Sequence, residues 1–139
     1  MAPKLVLADL DGTLLDEEKH LTPRSRAALE RAAGSGAQVV IATGRFFGGV
    51  PDFLKELPFL RYFILMNGAK VYDRQTDSVL YRSEIPLETA QAVYRLLEPL
   101  GCTVDCYQND RGIMPRKFLD RLDEELKETS ILLGKAEEA

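Results

Sequence analysis

A chain of 139 residues, set against roughly 100–200 residues per domain, allows one domain or a core with part of a second, and excludes a large two-domain enzyme. Lys and Arg total 18 and Asp and Glu total 22, a net charge of −4, so no basic face for nucleic acid is expected. With 45% hydrophobic and 29% charged residues, the composition belongs to a folding chain, not to a disordered tail.

Lys4–Leu10 (KLVLADL) is nearly continuous apolar sequence ending in acids, the pattern of a parallel strand buried on both faces. Thr22-Pro23 supplies an N-cap and a first-turn proline for a helix carried by Ala27, Ala28, Leu29, Ala32 and Ala33 to a Gly34/Gly36 stop. Ala37–Ala42 repeats the buried-strand pattern and runs into Thr43-Gly44-Arg45. Val50–Leu57 predicts a short helix ended near Pro58, and Arg61–Met66 a third strand. Strand, helix, strand, helix, strand is the order of a parallel α/β sheet with right-handed crossovers.

After Asn67-Gly68 the period changes. Ala69–Tyr72 and Val79–Arg82 alternate in apolarity around the polar Asp73–Asp77 stretch, predicting a hairpin. Pro86–Leu100 predicts an amphipathic helix closed by Gly101, followed by a strand over Cys102–Tyr107, a helix over Pro115–Thr129 and a short strand over Ser130–Leu133. Cys102 and Cys106 are too few for a disulfide scaffold and, about 13 Å apart in a strand, cannot bond to each other; both are expected as free, partly buried thiols. His20 stands alone in a loop, and the run Asp120–Glu128 reads as a solvated helix face. No apolar run approaches the ~20 residues of a membrane span, which predicts a cytoplasmic protein.

Asp9-Leu10-Asp11-Gly12-Thr13, at the carboxyl end of the first strand, is the most informative stretch. Ligands of open α/β sheets bind outside the carboxyl ends of the strands, so both carboxylates face the crevice, spaced to share a cation. A hard cation such as Mg2+ prefers oxygen ligands and bridges to substrate phosphate. Gly12 lets the backbone turn sharply and aim its N–H at an anion.

This stretch resembles motif I of the haloacid dehalogenase superfamily, and the following segments resemble its Cof-type phosphatase branch. The resemblance implies a Mg2+-dependent phosphatase acting through an aspartyl-phosphate on a small phosphorylated metabolite. Asp9 would be the nucleophile and Asp11 the general acid and base, and both would be metal ligands. Asp11 would need a pKa raised relative to Asp9 to protonate the leaving group. Thr43-Gly44-Arg45 is similar to motif II, so Thr43, Gly44 and Arg45, with Gly12 and Asn67, would line the phosphate site. Asn109-Asp110 lacks the preceding Gly-Asp of motif IV and takes no metal role.

The implied fold is a partial core with a parallel sheet over residues 1–84, including the hairpin, and part of an α/β cap over 85–139. Complete members continue past the cap to a lysine (motif III) and Gly-Asp-x-x-Asn-Asp (motif IV), neither of which stands in these residues. The expectation is therefore a chain that stops within the cap and turns over poorly, with a catalytically silent fragment of binding or structural role as the rival. A receiver-type signalling domain would carry its phosphoacceptor aspartate after the third strand, where this chain has Asn67. The sheet would also leave its first strand as an apolar edge, predicting a homo-oligomer, most simply a dimer, or a C-terminal segment folded back on that strand.

Overall fold

Three strands, β1 (Leu5–Ala8), β2 (Gln38–Ala42) and β3 (Leu60–Leu65), run parallel, and β4 (Lys70–Asp73) and β5 (Ser78–Arg82) add on as an antiparallel hairpin. Their order is β1-β2-β3-β4-β5. The structure, a computed structural model, describes residues 4–102 and 104–113. The elements expected over Pro115–Thr129 and Ser130–Leu133, and the charge run Asp120–Glu128, lie outside the described residues. The chain divides into two units, Met1–Arg82 and Ser83–Ala139, and among the described residues no helix is long and apolar enough to cross a membrane. The architecture is α/β, as expected.

In the first unit, α1 (Pro23–Gly34) begins where the sequence indicates. The Thr22 hydroxyl accepts a hydrogen bond from the Ser25 N–H at 3.1 Å, and proline occupies the first turn, where its missing N–H leaves no gap. The helix stops at Gly34, and Gly36 takes the left-handed conformation, φ +90°, that glycine tolerates best. Leu29 from α1 and Leu54 from α2 (Asp52–Lys55) join Val39, Ile41, Leu60, Phe63 and Leu65 of the sheet in one buried cluster. In β2 three consecutive residues, Val39, Val40 and Ile41, are buried, so both faces of that strand are covered. Helix α2 is shorter than the expected Val50–Leu57, because Pro51 lacks an N–H and holds an extended backbone immediately before it.

Strand β1 departs from expectation. Val6 and Ala8 pack against the core, but Leu5 and Leu7 remain 54% and 56% exposed, so the strand is buried on one face only. Among the described residues it is also the edge of the sheet, paired with β2 alone. Apolar content records what a strand is able to bury; it does not say which neighbour covers it.

At the other side, Arg61 grips Asp73 through both carboxylate oxygens, Nε at 3.0 Å to each and Nη2 at 2.6 Å to Oδ2. The Gln75 N–H also donates to Asp73. These bonds fix the start of the hairpin turn, and the guanidinium, first among the causes, lowers the Asp73 pKa to about 2. A carboxylate depressed in the folded state stabilises it above the unfolded pKa, near 4, and that contribution disappears as pH falls towards 2. Arg61→Met is therefore expected to lower stability at neutral pH and to flatten its pH dependence between about pH 4 and 2. Urea denaturation across that range checks both effects.

The second unit carries α3 (Leu87–Leu97), continued by a turn at Glu98–Leu100 that ends on left-handed Gly101. Its described strands are β6 (Cys106–Gln108) and β7 (Arg111–Ile113), an antiparallel pair. The expected strand Cys102–Tyr107 is thus cut to a shorter one with an unforeseen partner. Asn109 and Asp110 both take positive φ, 51° and 61°, the signature of a two-residue hairpin turn. Cys102 and Cys106 are free, and both are exposed, not partly buried.

Candidate active site

Because β1, β2 and β3 are parallel, the segments leaving their carboxyl ends emerge at one end of the sheet. They are Asp9–Leu14, Thr43–Gly49 and Met66–Gly68. The first is a wide helical turn closed by Leu14 N–H to the Asp9 carbonyl at 3.2 Å and Leu15 N–H to the Leu10 carbonyl at 2.9 Å. Gly12 sits inside it at φ +74°, a backbone that side-chain-bearing residues rarely adopt. Leu10, fully buried, anchors the turn to the core, so the flanking Asp9 and Asp11 are directed outward. Asp9 and Asp11 follow β1, the strand expected at the edge of the sheet.

The two carboxylates have different surroundings. Asp9 accepts one hydrogen bond, from the Thr13 hydroxyl to Oδ2 at 3.0 Å. Asp11 accepts three, all from cations: Arg45 Nε to Oδ2 at 2.8 Å, Arg45 Nη2 to Oδ1 at 2.7 Å, and Lys19 Nζ to Oδ1 at 3.1 Å. The Arg45 guanidinium, foremost, and the Lys19 ammonium hold the Asp11 pKa at about 2 against the opposing effect of burial. This is opposite to the raised value expected of a proton donor. The physical reason is the arginine fork, which fits a carboxylate bidentately and favours its charged form.

Arg45 is held as well as holding. Its Nη1 donates to the Gly49 carbonyl at 2.7 Å, and its own N–H donates to the Thr43 hydroxyl at 3.2 Å. Thr43 is buried. The third segment docks on the second: the Asn67 N–H donates to the Thr43 carbonyl and the Met66 N–H to the Arg45 carbonyl. Asn67 itself is left-handed at φ +54°, and its side chain lies over Gly44. A Cβ on Gly44 would stand 3.0 Å from Asn67 Oδ1, tighter than most such contacts, so the Asn67 amide would have to give way by a few tenths of an ångström. With the Asn67 backbone held by the Thr43 carbonyl, only its side chain can yield, and Gly44→Ala is expected to destabilise the protein by about 1 kcal/mol. In the Gly44→Ala/Asn67→Gly double variant the clash is absent, and a double-mutant cycle in urea checks for that rescue.

The structure thus brings Asp11 and Arg45 into contact and sets Thr43, Gly44 and Asn67 side by side, with Asp9 and Gly12 on the same turn as Asp11. Thr13 and Lys19 were not singled out by sequence reading. Thr13 had a signal in its four-residue spacing from Asp9, whereas Lys19 had none. His20 is an exposed loop residue, 3.7 Å from Glu18. Among the described residues no three His, Cys, Asp or Glu side chains cluster as a metal-binding group. An oxygen-only pair nevertheless suits a hard cation that keeps most of its waters. Asp9, whose second oxygen accepts no hydrogen bond among the described residues, is the better placed donor; the oxygens of Asp11 are committed to Arg45 and Lys19.

Residues 6–138 match the family model described as haloacid dehalogenase-like hydrolase. Pyridoxal phosphate phosphatase YbhA of Escherichia coli is 35% identical over 97 residues, 70% of this chain and 36% of that protein. The 5-amino-6-(5-phospho-D-ribitylamino)uracil phosphatase YcsE of Bacillus subtilis is 34% identical over 76 residues, 55% of this chain and 30% of that one. The solved structure of BT1666 from Bacteroides thetaiotaomicron, described among phosphatases of the haloalkanoate enzyme superfamily, superposes with a TM-score of 0.69 at 28% identity. It covers 94% of this chain and 46% of that one. The chain thus spans less than half the length of each of these proteins. A family match over nearly all its residues, on a sheet that carries the Asp-x-Asp-Gly-Thr turn and the Thr-Gly-Arg loop at one end, makes this chain a member of the haloacid dehalogenase-like hydrolase family.

Proposed function

We propose that this chain carries the nucleophile half of a Mg2+-dependent phosphate monoester hydrolase acting on a small phosphorylated metabolite. Residues 1–84 are the N-terminal part of its core and residues 85–139 part of its cap. The observation that carries the reading is the contrast between two aspartates on one turn. Asp9 keeps an oxygen open for attack, while Asp11 is held in a cationic fork. Asp9 attacks phosphorus as the bond from phosphorus to the ester oxygen breaks, giving an aspartyl-phosphate and the departing alcohol; water then attacks the aspartyl-phosphate, releasing inorganic phosphate and restoring Asp9, so that one hard displacement is divided into two. The Thr43 hydroxyl, the N–H groups of Gly12 and Gly44, Arg45 and Asn67 surround the phosphoryl oxygens. A phosphate dianion offers Arg45 a second bidentate partner; once Arg45 moves to it, Asp11 loses the fork that favours its charged form, takes up a proton from solvent, gives it to the leaving alkoxide and then accepts one from the attacking water. Asp9 and, once Arg45 has left it, Asp11 would hold Mg2+, and the cation would supply charge that offsets the repulsion between carboxylate and phosphate. The relatives YbhA and YcsE, both named for small phosphorylated compounds, support the substrate class.

The test needs no turnover. Beryllofluoride adds to an aspartate carboxylate as a phosphoryl group does. With Mg2+ present, a bound fluorine NMR signal is expected for this chain and none for Asp9→Asn. A signal that survives in Asp9→Asn, or is absent from the unmodified chain, removes Asp9 as nucleophile.

We also propose that the chain self-associates as a dimer through β1. Among the described residues its backbone is unpaired on one side, and it carries neither proline nor an inward charge over Leu5–Ala8, so it lacks the usual protections of an edge. Light scattering is expected to give the mass of a dimer, and Val6→Pro, which removes an N–H and a fitting backbone from the strand, to shift it to monomer. A monomer at high concentration overturns this.

A further inference from the structure

Lys19 occupies a place that the Asp11 carboxylate does not require. Arg45 alone already donates to both oxygens of Asp11, at 2.8 and 2.7 Å. Lys19 Nζ adds a third bond at 3.1 Å to the oxygen that Arg45 Nη2 also uses. The ammonium remains solvent-facing, with its side chain 57% exposed, so water would satisfy it equally well in the open.

Its position is nevertheless built. Lys19 is left-handed at φ +63°, an uncommon state for a residue with a long side chain. Asp16 holds the loop that carries it: Asp16 Oδ1 accepts from the N–H groups of Glu18 at 3.1 Å and His20 at 2.8 Å, and the Asp16 carbonyl accepts from the Lys19 N–H at 3.0 Å. The Leu15–Leu21 bridge closes the loop at its base. Two cations therefore converge on one carboxylate oxygen beside Asp9, near enough to each other for one tetrahedral anion to span both. Arg45 presents a planar fork and Lys19 a mobile point charge, two complementary ways of meeting a phosphate. With Lys19 counted, the charges of Asp9, Asp11, Lys19 and Arg45 cancel; without it, the turn repels a phosphate dianion.

We propose that Lys19 is a phosphate-binding residue of this site, held against Asp11 in the ligand-free state and transferring, together with Arg45, to the oxygens of an entering phosphate. The inference rests on the phosphatase reading above.

The test is titration of the 139-residue chain with inorganic phosphate in Mg2+, followed by amide NMR. Lys19→Met is expected to weaken phosphate binding about tenfold. Lys19→Arg should stay within about twofold of the unmodified chain, and Lys19→Glu should lose about a hundredfold. Arg26→Met, which removes a cation paired with Glu30 on α1, should change nothing. A role confined to pinning the loop would make the Met and Glu variants alike. If the unmodified chain binds phosphate and Lys19→Met binds it equally, the Lys19 proposal falls and the phosphatase reading stands. If the unmodified chain fails to bind phosphate, both fall.

Discussion

Phe63→Ala is expected to lower the unfolding free energy by about 3–5 kcal/mol, the largest stability effect of any single substitution considered. Phe63 is completely buried at the middle of β3, in register with Ile41 on one side and Tyr72 on the other. Its ring meets Phe47 edge to face, with centroids 5.4 Å apart and planes at 79°, so truncation removes an aromatic pair as well as area. The site is enclosed by strands on both sides and cannot collapse to fill the space. Against a typical total of about 5–15 kcal/mol, the variant would be marginal at room temperature. Phe47→Ala, at a partly buried position, should cost clearly less. Urea denaturation of the two variants checks the order, and a loss below about 1 kcal/mol for Phe63→Ala would contradict the packing described.

The largest effect on chemistry is expected in the turnover of these 139 residues by themselves. Phosphoryl transfer needs positive charge where the phosphate accumulates negative charge, and one such stabiliser is commonly worth about 10²–10³ in rate. The turn and loops described here supply Arg45 and Lys19, but no lysine in a motif III setting and no Gly-Asp-x-x-Asn-Asp acids. Two losses compound to about 10⁴ or more. With Mg2+ and p-nitrophenyl phosphate, the chain should fall that far below a common turnover of about 10 per second. Phosphate release at an ordinary rate, abolished by Asp9→Asn, would show that the residues present are sufficient.

What was legible in the sequence was whatever is decided locally. Thr22-Pro23 starts a helix because a hydroxyl and a missing N–H act within one turn. The hairpin of β4 and β5 is visible as a period of two around a polar turn, and the Asp-x-Asp-Gly-Thr run announces its own bend through Gly12. What was not legible depends on partners distant in the chain. The Asp11–Arg45 pair spans 34 residues, and it reverses the direction of the Asp11 pKa that the chemistry alone suggested. Asn67 beside Gly44 is equally a product of two loops meeting. Lys19 sits in an acidic loop with nothing in its neighbours to mark it. Asn109-Asp110, given no metal role, forms the turn of a hairpin whose second strand, β7, the sequence did not announce.

The order of the sheet has a consequence for how the molecule is made. Within the five-stranded sheet every strand pairs with a strand next to it in the chain, so each pairing needs only the segment synthesised just before, although the helical crossovers between the parallel strands make those closures longer than the β3–β4 and β4–β5 turns. Folding rates rise as contacts become more local. As the polypeptide leaves the ribosome, β2 meets a finished β1, β3 meets β2, and the β4–β5 hairpin zips on last, each step templated by the one before. Growth in that direction leaves β1, the first strand synthesised, with its outer side still exposed when the fifth is in place.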